Sequence, residues 1–343
     1  MSDHWESPGF SRGEEVNRRV GTGVGGGVLL VGEILVDFLG EGGQSLEEAR
    51  AFRPQPGGAP ANAAVAAARA GARTAFLGCV GADAFGRLLR TTLERAGVDA
   101  VRLREHPRLP TTLAFVMPAV RGDFGFQFNR GADAALSVED LTADAFSEVT
   151  AFGCGGVSLS APGAREATLA ALEAASARGA WTLFDVNWRP ALWDGVDTAL
   201  PVLRAAIRRS RAIKCNETEL ALVAGTDGDP AARARRLLAD GPQAVVVTLG
   251  ERGSMWVTAD AQVHHPGFQA DSVDAIGAGD CFSGNLLARW AERGAADAPA
   301  PAEMARILEW CNAAAALSTL RPGAMGAMPS AAEVSAFLAG RDS

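Results

Sequence analysis

The sequence predicts an α/β fold in which a mostly parallel sheet is covered by helices on both faces. The main observation is alternation. From Val28 onward, short β-like runs alternate with helical, alanine-rich runs, as in strands joined by helical crossovers. A second observation is the one stretch that breaks this alternation. Residues 111–119 and 124–129 are β-like runs around Val120-Arg121-Gly122-Asp123, which reads as a hairpin turn. With residues 37–55 they are expected to form a small sheet outside the main one, a lid able to exclude water from a site.

Residues 1–26 are polar and then glycine-rich, and are expected to be a flexible tail. Residues 28–339 are expected to form a single domain, with lid segments at about 37–55 and 110–130. Gly21-Thr22-Gly23-Val24-Gly25-Gly26 matches the dinucleotide fingerprint G-x-G-x-x-G. That motif has meaning only between a strand and a helix; here it precedes the first strand and is rejected. The first strand starts at Val28 and runs past Glu33 and Asp37. A polar stretch leads to Pro54-Gln55-Pro56-Gly57-Gly58 and an alanine-rich helix. Gly57 and Gly58 allow close backbone approach, and Asn62 falls in the first turns of that helix. Locally this is as much a plain loop-to-helix junction as a ligand site. Strands are read at 75–80, 151–159, 181–186, 212–215 and 244–249. Helices are read at 83–96, 163–178, 199–208 and from Glu217, and two long helices close the chain.

The stretch Asp274-Ala275-Ile276-Gly277-Ala278-Gly279-Asp280 turns from loop into helix, because residues 281–290 have helical apolar spacing and no proline. A helix N-terminus attracts anions through unpaired N–H groups and its dipole. Asp280 stands inside that anion site, either as a helix cap or as a working group. Three more polar clusters lie at predicted strand ends, where open α/β sheets bind ligands. They are Asp185-Val186-Asn187-Trp188-Arg189, Lys214-Cys215-Asn216-Glu217-Thr218-Glu219 and Thr248-Leu249-Gly250-Glu251-Arg252-Gly253. Each has an ordinary reading: an Asp185–Arg189 ion pair, an Asn216–Glu219 capping box, a strand end and its turn. Four such clusters at the same kind of place argue for one site.

Composition bounds the partners. A hydrophobic fraction of 48% over 343 residues suits a soluble α/β enzyme with a large core. Lys+Arg 32 against Asp+Glu 40 gives a net charge of −8 with no basic block, which argues against nucleic acid. An acidic protein that binds an anionic nucleotide needs local N–H groups, Mg²⁺ or a few basic side chains. The 5 cysteines are widely spaced with no C-x-x-C pair, so reduced, mostly buried thiols and a cytoplasmic location are expected. No apolar run reaches membrane-spanning length, and the N-terminus lacks a secretory pattern, so no membrane partner is expected.

Two longer stretches carry a family resemblance. Gly57-Gly58-Ala59-Pro60-Ala61-Asn62 through Gly78-Cys79-Val80-Gly81-Ala82-Asp83-Ala84-Phe85-Gly86, and Asp274 through Phe282, resemble the two signatures of the ribokinase-like (pfkB) carbohydrate kinases. An N-x-x-E (Asn216, Glu219) and a T-L-G-x-x-G (Thr248, Gly250, Gly253) lie between them, and the similarity runs from about Val28 to Ser330. The resemblance implies a three-layer αβα sandwich with a β-lid that often mediates homodimers. It also implies transfer of the ATP γ-phosphoryl group to a sugar hydroxyl. Asp280 would be the base, and N–H groups of Gly277, Ala278 and Gly279 would hold the charge developing on the transferred group. Asn216 and Glu219 would organise Mg²⁺ through water. Lys214, Asn216, Thr248, Gly250 and Gly253 would line the nucleotide site, with Asn312 and residues 323–327 near the adenine. Asp37, Gly57, Gly58, Asn62, Arg130, Asp185, Asn187 and Arg189 would meet the sugar. Many members also use a monovalent cation such as K⁺ near Asp274. Here Ala275 replaces the family's usual threonine, which puts that dependence in doubt. A helix N-terminus lowers the pKa of an acid, so Asp280 is expected to be a weak base, tolerable in a loose transition state.

Fructokinases and 2-keto-3-deoxygluconate kinases share the Gly32-Glu33, Asp37-Phe38 and Asp185-x-Asn187-x-Arg189 patterns. An acidic sugar would need a carboxylate clamp, for which Arg130 and Arg189 are the candidates. The keto-acid kinases typically place tyrosines before the first arginine, whereas this chain has Phe128-Asn129-Arg130 and Tyr 0. Arg130-Gly131-Ala132-Asp133 looks more like fructokinases, so fructose is the expected sugar. A catalytically inactive relative would have lost the terminal acid or the glycines, and both are intact. A nucleoside kinase would surround the sugar with larger apolar groups.

Overall fold

The computed structural model describes residues 27–117, 125–294 and 298–341; the expected tail and hairpin turn lie outside the described residues. In chain order, β1 (Gly27–Val31), β2 (Leu35–Glu41) and β3 (Ala51–Gly57) precede helix α1 (Ala59–Arg69). Next come β4 (Thr74–Gly81), α2 (Ala84–Arg95), β5 (Val98–Asp99), β6 (Leu103–His106), β7 (Leu113–Met117) and β8 (Gly125–Asn129). The middle is β9 (Val149–Gly155), α3 (Pro162–Ala177), β10 (Trp181–Asp185), α4 (Val196–Ile207), β11 (Ala212–Asn216), α5 (Glu217–Ala224) and α6 (Pro230–Leu238). The chain closes with β12 (Ala244–Thr248), β13 (Ser254–Val257), β14 (Gln262–His265), α7 (Ala278–Arg293), α8 (Pro301–Ser318) and α9 (Ala331–Ala339).

The main sheet has the order β14-β13-β12-β11-β10-β9-β1-β4-β5, with β6 beside β4. Its centre is parallel, and β13 and β14 add antiparallel strands at one edge. Central strands such as Ala-Val-Val-Val-Thr in β12 are apolar on both faces, as a sheet covered on both sides requires. Val246 joins the cluster under α1, α7 and α8, while its neighbours Val245 and Val247 join the cluster under α3, α4 and α6. These are the three layers of an αβα sandwich.

Helices α1 and α7 approach each other closely. A Cβ added to Gly284 of α7 would fall 2.2 Å from the Ala63 carbonyl oxygen and 2.7 Å from Ala66 Cβ on α1. Small residues therefore let α1 and α7 lie against each other, which larger side chains would prevent.

The second sheet is separate and four-stranded, in the order β3-β2-β7-β8. Pro54 and Pro56 sit in β3, an edge strand that can do without their missing N–H groups. All five cysteines are buried free thiols. Among the described residues no helix is long and apolar enough to cross a membrane.

Candidate active site

The chain turns into α7 through Gly277, the N-cap, which adopts φ 79° in the left-handed region that glycine tolerates. A Cβ there would lie 2.8 Å from Ala324 Cβ. Asp280 follows in the first helical turn, and its side chain caps nothing. Its Oδ2 accepts a hydrogen bond from Asn62 Nδ2 at 2.8 Å, so the capping role considered for it is not the one it has. The expectation of an unusually weak base is also corrected. Burial, with Asp185 nearby, raises Asp280 to about 6, against the lowering pull of the Asn62 hydrogen bond, Lys214 and Arg189. Desolvation outweighs the helix terminus here. Of the three N–H groups expected to receive charge, that of Ala278 is directed to the Ala275 carbonyl at 3.2 Å.

Asn62 reaches Asp280 because α1 starts immediately after two glycines. Gly58 has φ 102°, and a Cβ on it would meet the Glu33 carbonyl oxygen at 2.6 Å. On Gly57, a Cβ would meet Asp37 Oδ2 at 2.0 Å. The glycines thus bring Asp37 and Asn62 to one side of the cleft. Asp37 is itself raised to about 7, chiefly by burial and then by Asp280, with Arg189 opposing. Glu33 is a site residue the sequence reading left without a role. Its Oε1 accepts the Ala59 N–H at 3.2 Å at the start of α1, and burial raises it to about 7.

Across the floor, Lys214 Nζ lies 2.9 Å from Asp185 Oδ2, which also accepts from Ser283 Oγ at 2.9 Å. Asn216 and Glu219 form the capping box of α5: Asn216 Oδ1 accepts the Glu219 N–H at 2.8 Å, and Glu219 Oε2 accepts the Asn216 N–H at 2.9 Å. Glu219 Oε1 takes the Trp188 N–H at 2.9 Å. Burial and Asp185 raise the Glu219 pKa, with Lys214 opposing. Asn187 is a non-glycine residue at φ 40°, strained backbone of the kind that collects at functional sites. The buried oxygens Asn62 Oδ1, Asp185 Oδ1 and Asn187 Oδ1 have no protein partner. Acceptors left so in one cleft suit a ligand rich in hydroxyl donors.

The two arginines part company. Arg189 lines the cleft, 5.6 Å above the Phe126 ring, and donates to the Trp188 carbonyl at 3.0 Å. Arg130, expected at the substrate, does not itself line the cleft. Its guanidinium is held by Asp133 Oδ2 at 2.6 Å, the Val157 carbonyl and Ser160 Oγ, directly behind the cleft-lining Val157. The buried carboxylate of Asp133, three residues on, is its main partner.

At the nucleotide end, Thr248, Gly250, Gly253 and Asn312 line the cleft. Gly253 adopts φ 82°, and a Cβ there would strike the His265 carbonyl oxygen at 2.0 Å. Asn312 Nδ2 is committed to Ser254 Oγ and the Leu308 carbonyl, both at 2.8 Å. Of residues 323–327, expected near the adenine, Gly323 and Ala324 pack against the glycine turn. Gly323 N–H donates to Asp274 Oδ2 at 2.8 Å, while Asp274 Oδ1 accepts from Ile276 N–H at 2.9 Å. The small sheet expected as a lid forms the roof, but its apolar cleft-facing residues were not named from the sequence. Leu39, Val116, Phe126 and Phe128, alternating residues on the inner face of the small sheet, close a cleft of about 1050 Å³. Their period of two was legible, but the face they turn to the cleft was not.

Among the described residues no three His, Cys, Asp or Glu side chains gather into a metal cage. Mg²⁺ does not need one, since it keeps several waters and takes one or two carboxylates plus phosphates. Each Glu219 oxygen accepts a single N–H, and a carboxylate has about four lone-pair sites, so capacity remains for a metal-bound water.

With this geometry in hand, comparison with known proteins is direct. The model of the pfkB family carbohydrate kinase matches residues 27–331. A probable fructokinase-4 of Arabidopsis thaliana is 34% identical over 316 residues, covering 91% of this chain and 97% of that protein. The structure of a fructokinase with bound ATP from Xylella fastidiosa superposes with a TM-score of 0.84 at 31% identity, covering 92% of this chain and 99% of that one. A fructokinase double mutant from Vibrio cholerae O395, in fructose, ADP and potassium ion bound form, gives a TM-score of 0.80 at 31% identity, covering 91% and 98%.

Proposed function

The chain belongs to the pfkB family of carbohydrate kinases, and from that premise we propose that it transfers the γ-phosphoryl group of MgATP to fructose, giving fructose 6-phosphate. The observation that carries the reading is Asp280, half-buried where α7 begins and hydrogen-bonded to Asn62 beside Asp37. In the proposed step the sugar hydroxyl oxygen bonds to the γ-phosphorus as the bond from that phosphorus to the bridging oxygen breaks. ADP leaves, and Asp280 takes the hydroxyl proton. A carboxylate near 6 is ionised at neutral pH and still a usable base. Asp37, Asn62, Asp185 and Asn187 would receive sugar hydroxyls, and Gly277 and Gly279 would approach the phosphates. Thr248, Gly250, Gly253 and Asn312 would face the nucleotide. Mg²⁺, held through water by Asn216 and Glu219, would neutralise phosphate charge.

A neutral sugar is favoured over a keto-acid because Arg130 is already paired with Asp133, leaving Arg189 without its partner for a carboxylate clamp. The names of the relatives point the same way. Potassium near Asp274 belongs to this reading only as an option, since both Asp274 oxygens already serve backbone N–H groups and Ala275 has no hydroxyl. So do a homodimer through the small sheet and, from the buried thiols, a cytoplasmic location. The test is ADP release from MgATP with fructose, 2-keto-3-deoxygluconate, ribose, glucose and adenosine. Turnover on fructose above all others is expected; preference for the keto-acid would overturn the choice of sugar.

A further inference from the structure

Lys214 is the only lysine of the chain, and every other one of its 32 basic residues is arginine. That one lysine sits at the middle of β11 with 6% of its surface exposed. Its Nζ is 2.9 Å from Asp185 Oδ2, and a Cβ built on Gly279 would fall 2.9 Å from the same nitrogen. The charge therefore sits directly beneath the turn that opens α7. A guanidinium is broad, planar and built to bind in a fork, so an arginine would not reproduce this single point contact between Asp185 and the Gly279 backbone.

We propose that Lys214 is a positioning residue of phosphoryl transfer and not a nucleotide contact. Anchored on Asp185 and wedged under Gly279, it fixes the turn that carries Asp280 and keeps a positive charge beneath it. This rests on the kinase reading above, with Asp280 as the base. A group that acts on the turn, and not on bound substrate, contributes mainly in the transition state, so its loss lowers kcat and leaves KM in place.

The experiment is steady-state kinetics of the full chain carrying Lys214→Arg, Lys214→Met or Lys214→Ala, using MgATP and the sugar that the wild type prefers. All three variants should lose about 10²–10³-fold in kcat, as for removal of one preorganised electrostatic group, with KM for ATP and sugar changed less than about threefold. Ethylammonium should restore Lys214→Ala saturably, whereas guanidinium should not. If the alanine variant does not fold, Lys214→Met, which keeps an apolar stem, supplies the split between kcat and KM. A raised KM for ATP with kcat retained would make Lys214 a nucleotide contact and sink the proposal. So would wild-type kcat in Lys214→Arg, or losses that track melting temperature and ignore added amine. Asp280→Asn is assayed alongside: full turnover there would defeat the reading of Asp280 by itself, leaving the Lys214 comparison interpretable.

Discussion

The floor of the cleft, where β10, β11 and the start of α7 meet, gathers Asp185, Lys214, Glu219 and Asp280. The roof, the inner face of the four-stranded sheet, presents Leu39, Val116, Phe126 and Phe128. The floor is charged, crowded and densely hydrogen-bonded, and its geometry comes from parallel strands ending at one level. The roof is apolar apart from Asp37, which shares the cleft face of β2 with Leu39, and comes from simple alternation along its strands. Placing most of the chemistry on the main sheet and most of the water-excluding surface on the smaller one largely separates two demands that conflict in one place. Reactive groups need fixed positions, while substrate must enter and leave.

The sharpest way to break this division is Asp280→Asn. Turnover should fall about 10³–10⁴-fold, the upper range for a general base, with ATP affinity measured by titration calorimetry unchanged. If the floor holds the only essential base, kcat/KM should also show an acidic limb at about 6, the value to which burial lifts Asp280. The sign follows from the role: the base works ionised, so activity is present above that pH and declines about tenfold per unit below it. A limb near 4 would mean that burial does not control this carboxylate.

The roof should respond in KM instead of kcat. Phe128→Ala opens the apolar surface and should raise the sugar KM about tenfold, the cost of losing a large aromatic contact. It should also increase ATP hydrolysis without sugar, read as ADP formed in the absence of acceptor. The smallest catalytic effect belongs to Arg130→Ala, because that guanidinium is spent on Asp133. The sugar KM should stay put while stability drops by about 3 kcal/mol in a denaturant titration, since a buried carboxylate loses its partner. A raised KM would return Arg130 to the substrate.

The two regions were unequally legible in the sequence. Alternation of strands and helices was enough for the sandwich, and Asp280, Asn62, Asp185 and Asn187 were readable from glycine turns and strand ends. What escaped depended on distance in the fold. Arg130 has its main partner only three residues away, yet Ser160 and Val157, which complete its capture, come from beyond β9. The basicity of Asp280 was misjudged because a helix terminus is visible in sequence and burial is not. Asn216 and Glu219 form the capping box, and the proposed site for a hydrated ion would use the same atoms, so the sequence did not separate the two readings. Glu33 had no partner in its own neighbourhood; Ser158 and the start of α1 supply them.

The contact of Gly284 with Ala63 and Ala66 has a consequence for how this protein fails. Asn62 and Asp280 ride on two helices locked together with no room for an added methyl group, so the pair cannot drift apart while the core stays closed. Heat or denaturant should therefore extinguish activity in the same cooperative step that opens the sandwich, without an earlier stage of intact but idle protein. Residual turnover then serves as a direct count of folded molecules.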